Sequence, residues 1–137
     1  MSIQEQNSEQ IARIPVSGSQ DVVLARFVAR QQAELIGMEA ISIIRFSTAV
    51  SELARNIVQH SQSSGYVAIA KVQDGSKVGL KTEAKDAGIG LTNTEELLRQ
   101  SKDAQAGGIF GAMSFADSFD IESSAGNGTR AILVKWV

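Results

Sequence analysis

The fold is decided by one long stretch, EAISIIRFSTAVSELARNIVQH, which spans residues 39–60. Apolar side chains recur along it at helical spacing, and no glycine or proline interrupts them. Such a pattern predicts a central helix with one apolar face. The residues assigned to that face are Ile41, Ile44, Val50, Leu53, Ile57 and Val58.

The flanking sequence predicts further helices and a sheet. Helices are predicted over residues 21–36, 94–100 and 112–116, the first of them ending at Gly37. Strands are predicted over residues 11–16, 66–72, 78–85, 119–123 and 130–137. An Asp74-Gly75 turn between the second and third strands indicates that this pair is antiparallel. Helices on one face of a mostly antiparallel sheet would bury the apolar residues, so the expected class is α+β in two layers.

Composition narrows the class of protein. A chain of 137 residues with 43% apolar residues suffices for one domain, which we assign to residues 11–137 after a flexible polar tail over residues 1–10. The net charge of -2 shows no excess of positive charge that would favour binding to nucleic acid or to an anionic membrane. The absence of cysteine and the single histidine argue against disulfides and zinc. Neither a signal peptide nor a membrane-spanning run is found, so the expected location is the cytoplasm.

Two polar residues on the central helix form the first candidate site. Glu52 and Asn56 stand four residues apart, which places them on one helix face with Cβ atoms roughly 5–6 Å apart. An asparagine carbonyl suits Mg²⁺, which usually takes one or two oxygen ligands from protein, and the neighbouring carboxylate could act as a base. A solvated charge beside a helix-surface amide is the alternative interpretation.

The segment Asp86-Ala87-Gly88-Ile89-Gly90 directly follows a predicted strand. Its carboxylate could accept a hydrogen bond from the exocyclic amine of adenine, while Gly88 and Gly90 would let the backbone approach the base. A simple turn also explains the segment.

Two further glycine-containing segments are candidates for phosphate contacts. Backbone N–H groups of Gly107, Gly108 and Gly111 could meet phosphate oxygens at the start of the following helix, although a flexible loop without a ligand is equally consistent. The segment Gly126-Asn127-Gly128-Thr129 could place a hydroxyl near the phosphates, and a hairpin turn is its alternative.

These features occur in a fixed order, and the sequence from about Ile11 to its end resembles the GHKL ATPase superfamily. The N-box is matched by Glu52 to Asn56, and the three glycine boxes are matched by Asp86 to Gly90, Gly107 to Gly111, and Gly128-Thr129. Within that superfamily the chain is similar to the anti-sigma-factor serine/threonine kinases, and especially to the switch kinases of the stressosome. The segments that carry this likeness are Ser51 to Asn56, Phe119 to Ser123, and Lys135-Trp136.

The resemblance implies a two-layer α/β sandwich of the Bergerat type that binds ATP with Mg²⁺. It also implies transfer of the γ-phosphate to a serine or threonine of a STAS-domain partner in a bacterial stress or anti-sigma partner-switching pathway, with a downstream phosphatase as a further candidate partner. By residue, it implies Glu52 as base, Asn56 as magnesium ligand, Asp86 on the adenine amine, Gly88 and Gly90 beside the base, Gly107, Gly108 and Gly111 in the lid, and Thr129 near the nucleotide.

A second hypothesis is a non-catalytic, nucleotide-regulated binding module that sequesters a signalling partner. It is motivated by the sparse glycines of residues 107–111 and by the apolar residues Ile109, Phe110, Met113 and Phe115, which are otherwise expected in a core. Transfer of phosphate to a purified partner would exclude this hypothesis.

Overall fold

Five antiparallel strands form one sheet, in the order β1-β2-β3-β5-β4, within the residues that the computed structural model describes, 6–60, 65–86, 108–124 and 128–137. The elements along the chain are β1 (Gln6–Val16), α1 (Ser19–Ile36), α2 (Ala40–His60), β2 (Gly65–Asp74), β3 (Lys77–Asp86), α3 (Gly108–Phe115), β4 (Ser118–Ser124) and β5 (Gly128–Trp136). In this described part, no helix is both long and apolar enough to cross a membrane.

The helices α1 and α2 pack against each other and against one face of the sheet, which confirms the predicted α+β sandwich. The core between the two layers is filled mainly by α2, because Phe46, Val50 and Leu53 are almost completely buried. From the sheet, Ile69 and Leu133 face them in the same cluster. Burial of side chains of this size stabilises the fold by about 1.5–3 kcal/mol each.

The predicted elements are confirmed with small shifts of their ends. The five strands and the helices over residues 21–36 and 39–60 are present, and β2 and β3 turn at Gly75, which has a positive φ of 62°. The short helix predicted over residues 112–116 begins earlier, at Gly108. The helix predicted over residues 94–100 lies outside the described residues.

Two predictions were wrong in part: the start of the first strand and the buried face of the central helix. The strand predicted from Ile11 begins at Gln6, so Gln6–Gln10 pair with β2 instead of belonging to a flexible tail. Strand pairing uses backbone groups, and therefore polar side chains on an edge strand do not prevent it. On α2, the predicted apolar face includes Ile41 and Ile44, yet both side chains are exposed.

β1 lies at one edge of the sheet, which suits Pro15 because proline has no N–H to donate to a neighbouring strand. The pairing of β1 with β2 shifts between Gln10 and Ala12, which leaves Ile11 in a bulge. Such irregularities protect a sheet edge from pairing with another chain.

A short connection joins α1 to α2. Gly37 takes the left-handed conformation at φ 94°, and the N–H groups of Gly37 and Met38 donate to the carbonyls of Glu34 and Ala33. This arrangement is a Schellman motif, which satisfies the last carbonyls of α1. The side chain of Met38 is buried behind it. The chain therefore reverses direction within a few residues and places α2 antiparallel to α1.

The start of α1 is stabilised by Asp21. Its carboxylate accepts hydrogen bonds from the backbone N–H groups of Ser17, at 2.9 Å, and Gly18, at 3.1 Å. These two bonds, the Ser17 bond above all, lower the pKa of Asp21. The ionised carboxylate also interacts favourably with the positive end of the helix dipole.

A polar network crosses the sheet face opposite to the helices. The Arg13 guanidinium lies 3.8 Å above the Tyr66 ring, and the Tyr66 hydroxyl donates to Glu83 at 3.2 Å. Glu83 also forms an ion pair with Arg130. Burial, followed by the Glu83 charge, raises the pKa of Tyr66, and the hydrogen bond to Glu83 raises the pKa of Arg130. The network connects β1, β2, β3 and β5.

Replacing Thr82 by valine should stabilise the protein. Thr82 is completely buried on β3, and its hydroxyl has no hydrogen-bond partner among the described residues. Valine keeps the shape and removes the unpaired hydroxyl, so we expect Thr82→Val to raise the free energy of unfolding by about 1–3 kcal/mol. Urea unfolding measures this, with the exposed Thr48→Val as control. A loss of stability specific to Thr82→Val would contradict the prediction.

Candidate functional site

Glu52 lies on α2 with a largely buried side chain, of which 17% is exposed. Its carboxylate forms an ion pair with Arg55, one turn further along the helix, whose side chain is 45% exposed. The pair orients the carboxylate and places a positive charge beside it. This pair was not predicted, although the i, i+3 spacing of an acid and an arginine is visible in the sequence.

Asn56 contributes a buried side-chain amide to the candidate site. Its side-chain Nδ2 is buried and has no hydrogen-bond partner among the described residues. A buried amide without a partner costs about 1–3 kcal/mol, so a bound group that satisfies it would be favourable. Rotation of the amide by 180° exchanges the nitrogen and oxygen, and therefore either atom can face a ligand. The carbonyl oxygen suits Mg²⁺.

Asp86 ends β3 and is buried. Its Oδ1 accepts a hydrogen bond from the backbone N–H of Thr129, at 3.2 Å, on the neighbouring strand β5. The Thr129 hydroxyl in turn lies 2.9 Å from the Ser123 hydroxyl on β4. Residues that are distant in sequence therefore meet at one end of three adjacent strands. Asp86 and Thr129 were predicted as site residues from the sequence, whereas Ser123 was not.

Two glycines flank the backbone of Asp86. Gly65 lies opposite it on β2, and a Cβ there would overlap the Lys85 carbonyl and lie 2.8 Å from the Asp86 Cα. On the other side, a Cβ on Gly128 would overlap the Asp86 carbonyl and lie 3.0 Å from its Oδ1. Gly128 also has a positive φ of 80°. The sequence indicated Gly128 as a turn residue and, through the family resemblance, as part of the last glycine box, but it did not indicate Gly65. Neither close approach to Asp86 is visible without the strand register.

The contact of Ile57 with Gly65 brings α2 to this end of the sheet. A Cβ on Gly65 would lie 3.1 Å from the Ile57 Cγ2 atom, and Gly65 is the strand partner of Asp86. Ile57 directly follows Asn56 on α2. The structure therefore places the Asn56 turn of α2 and the Asp86 end of β3 on the same side of the molecule.

The structure describes only some of the glycines that were predicted to form the lid. Gly108 is the first residue of α3 and Gly111 belongs to its first turn, so both lie inside a helix that packs against α2. Gly88, Gly90 and Gly107 lie outside the described residues.

The structure describes only one of the four apolar side chains named for the binding-module hypothesis. Phe115 is partly buried against the core, as expected of a core residue. The side chains of Ile109, Phe110 and Met113 lie outside the described part.

Within the described residues, no group of three or more histidine, cysteine or acidic side chains is arranged to hold a metal ion. A single asparagine oxygen near the site is compatible with Mg²⁺, which takes most of its ligands from water and phosphate.

Comparison with known proteins gives clear relatives. The chain is 34% identical over 120 residues to the serine/threonine-protein kinase RsbT of Bacillus subtilis (strain 168), an alignment that covers 85% of this chain and 90% of the relative. It is 28% identical over 130 residues to the anti-sigma F factors of Thermoanaerobacter sp. (strain X514) and Thermoanaerobacter pseudethanolicus (strain ATCC 33223 / 39E), covering 89% of this chain and 90% of each relative. No protein-family model matches the chain.

Proposed function

The chain belongs to the family of RsbT-type serine/threonine kinases and anti-sigma F factors, and from this premise we propose that it is an ATP-dependent serine/threonine kinase. Its proposed substrate is a STAS-domain protein in a bacterial stress or anti-sigma partner-switching pathway. The proposal is supported by two residues that lie on one side of the molecule: Asn56, whose buried amide nitrogen has no hydrogen-bond partner among the described residues, and the buried Asp86.

Adenine recognition is assigned to Asp86. A carboxylate has about four acceptor positions, so Asp86 can accept from the exocyclic amine of the base in addition to the Thr129 N–H. Gly65 and Gly128 hold the backbone of Asp86 closely from both sides, which fixes the position of the carboxylate. Fixed geometry is what a site for a planar base requires. Gly88 and Gly90 are proposed to lie beside the base.

Phosphate and metal binding are assigned to α2 and α3. Asn56 would hold Mg²⁺ through its amide oxygen. When bound, Mg²⁺ neutralises the charge of the phosphates during transfer. The first four N–H groups of a helix have no acceptor within the helix, and in α3 these belong to residues 108–111, so we propose that Gly108 and Gly111, with Gly107 before them, donate to phosphate oxygens.

Glu52 is proposed to accept the proton of the substrate hydroxyl as its oxygen attacks the γ-phosphorus. The oxygen forms the new bond to phosphorus, while the bond to the β-phosphate oxygen breaks and ADP leaves. Arg55 holds the Glu52 carboxylate in place before the reaction.

The transfer reaction itself tests the proposal. The purified chain would be mixed with γ-labelled ATP, Mg²⁺ and each STAS-domain protein encoded in the same genome, with unrelated folded proteins as controls. We expect label on a serine or threonine of at least one STAS-domain protein. If ATP binds but no STAS-domain protein is labelled, the chain is better explained as the nucleotide-regulated binding module.

Replacing Asp86 by asparagine tests the adenine assignment separately. Loss of a charge-assisted hydrogen bond costs about 1.5–3 kcal/mol, so we expect Asp86→Asn to weaken ATP binding by about ten- to a hundredfold. Calorimetric titration measures this change. Asp120→Asn, at an exposed position on β4, is the matched control and should bind like the wild type. An unchanged dissociation constant for Asp86→Asn would show that Asp86 does not bind the base.

A further inference from the structure

We propose that the exposed face of the N-terminal half of α2 is the docking surface for the protein that carries the acceptor hydroxyl. This inference rests on the proposed kinase function and extends it by naming where the substrate binds. The docking surface consists of Ile41, Ile44, Arg45 and Thr48. Its expected partner presents an apolar patch flanked by a carboxylate, beside the serine or threonine that is phosphorylated.

The two isoleucines of this surface are exposed despite their size. Ile41 is 56% exposed and Ile44 is 60% exposed. They occupy the same helix whose other face supplies the largest core side chains, so their exposure is not explained by packing within the described fold. Neighbouring exposed apolar residues commonly mark a protein interaction site.

The docking surface is continuous with Glu52. Ile41, Arg45, Thr48 and Glu52 follow one another at steps of four, three and four residues, which keeps them in one row along the helix. With a rise of 1.5 Å per residue, Ile44 lies roughly 12 Å and Ile41 roughly 16 Å from Glu52 along the axis.

A protein interface of ordinary size, centred on Glu52, is large enough to include the docking surface. A stable interface covers about 800 Å² on each partner, which corresponds to a disc roughly 16 Å in radius. A folded substrate that brings its hydroxyl to Glu52 therefore covers neighbouring surface out to about the position of Ile41.

The position of the nucleotide site determines from which side the protein substrate can reach Glu52. The opposite side of Glu52 leads to Asn56 and, through Ile57 and Gly65, to Asp86. That side is assigned to ATP, so the protein substrate must cover the side toward the N-terminus of α2. Arg45 is exposed there and forms no ion pair among the described residues, so it can pair with a carboxylate of the partner.

The double variant Ile41→Asp, Ile44→Asp tests the docking surface. We expect it to raise the KM for the phosphorylated STAS-domain protein at least about tenfold, because two charges would enter an apolar contact. The KM for ATP should stay within about twofold, since neither residue lies on the nucleotide side. Labelled transfer at varied concentrations of each substrate gives both constants.

Val137→Asp is the matched control. Val137 is 53% exposed, close to the exposure of Ile41 and Ile44. Val137 follows β5, and its N–H donates to the Val78 carbonyl at 2.8 Å, so it belongs to the sheet layer and not to α2. A new charge at Val137 should therefore leave the KM for the protein substrate unchanged. Exposed residues of α1 are not suitable as controls, because α1 packs beside α2.

Arg45→Glu is a second test of the docking surface, which reverses a charge without removing an apolar contact. We expect a several-fold rise in the KM for the protein substrate, and a smaller rise at high salt because salt screens the repulsion. If both the double variant and Arg45→Glu phosphorylate the partner with wild-type KM, the docking inference is wrong while the kinase proposal stands. If the wild type labels no STAS-domain protein, the kinase proposal fails, and the docking inference fails with it.

Discussion

Glu52→Gln is expected to reduce phosphoryl transfer to the protein substrate by at least about a hundredfold while the dissociation constant for ATP stays within about twofold. Glutamine keeps the size of the side chain and removes its ability to take a proton. Only the step that deprotonates the hydroxyl should suffer, because adenine and metal binding are assigned to Asp86 and Asn56. Single-turnover transfer and equilibrium titration with ATP measure the two quantities separately.

The ion pair with Arg55 requires its own control. Glu52→Gln also removes this pair, and a loss of activity could follow from the released arginine rather than from the missing base. Arg55→Met breaks the same pair but leaves the carboxylate in place. We expect Arg55→Met to keep most of the activity. If its loss equals that of Glu52→Gln, the broken ion pair alone accounts for the effect and the Glu52 data no longer support its role as base. If Glu52→Gln transfers phosphate like the wild type, Glu52 has no catalytic role.

Gly128→Ala should be the most destabilising of the small substitutions at the site. Its Cβ would overlap the Asp86 carbonyl, a backbone atom that cannot move without disturbing β3, and its φ of 80° is unfavourable for alanine. We expect a loss of roughly 3 kcal/mol or more in the free energy of unfolding, from steric overlap and backbone strain together. Because Asp86 would be displaced, ATP binding should also be lost. Urea unfolding and titration with ATP test these two results.

Substitutions at two other glycines separate the two causes of the stability loss in Gly128→Ala, which are backbone strain and steric overlap. Gly75 has a positive φ of 62° with no atom near a new Cβ, so Gly75→Ala measures strain alone and should cost about 1–2 kcal/mol. Gly65 has no positive φ but closely approaches the same strand end, so Gly65→Ala measures overlap alone. Only Gly65→Ala and Gly128→Ala should weaken ATP binding. A stability loss for Gly128→Ala no greater than that for Gly75→Ala would contradict the close approach to Asp86.

Local patterns predicted much of this fold. The periodicity of residues 39–60 predicted α2 and placed Glu52 and Asn56 on one face, because both depend only on helix geometry. The same periodicity wrongly assigned Ile41 and Ile44 to the buried face. Both lie on the face of α2 opposite to the buried core side chains, and an apolar residue type alone does not indicate which helix face meets the sheet.

Features that depend on strand register were not predictable. Gly65 lies opposite Asp86 only because β2 and β3 pair in one particular register, and the Ser123–Thr129 contact requires the pairing of β4 with β5. A one-residue slip would separate each pair, and a single sequence does not define the register at this accuracy. The roles of Gly88, Gly90 and Gly107 stay predictions.

The short connection between α1 and α2 has a consequence for how the chain folds. Contacts within this helical pair span few residues, whereas β3 and β5 join residues 79–85 to residues 130–136. Local contacts form faster than distant ones, so we expect the helical pair to assemble before the central strands meet. Asp86 and Thr129 would then come together late, after Glu52 and Asn56 are already in place on their helix. If the proposed function is right, we expect this slow closure of the sheet to set the moment at which a newly made chain can first bind ATP.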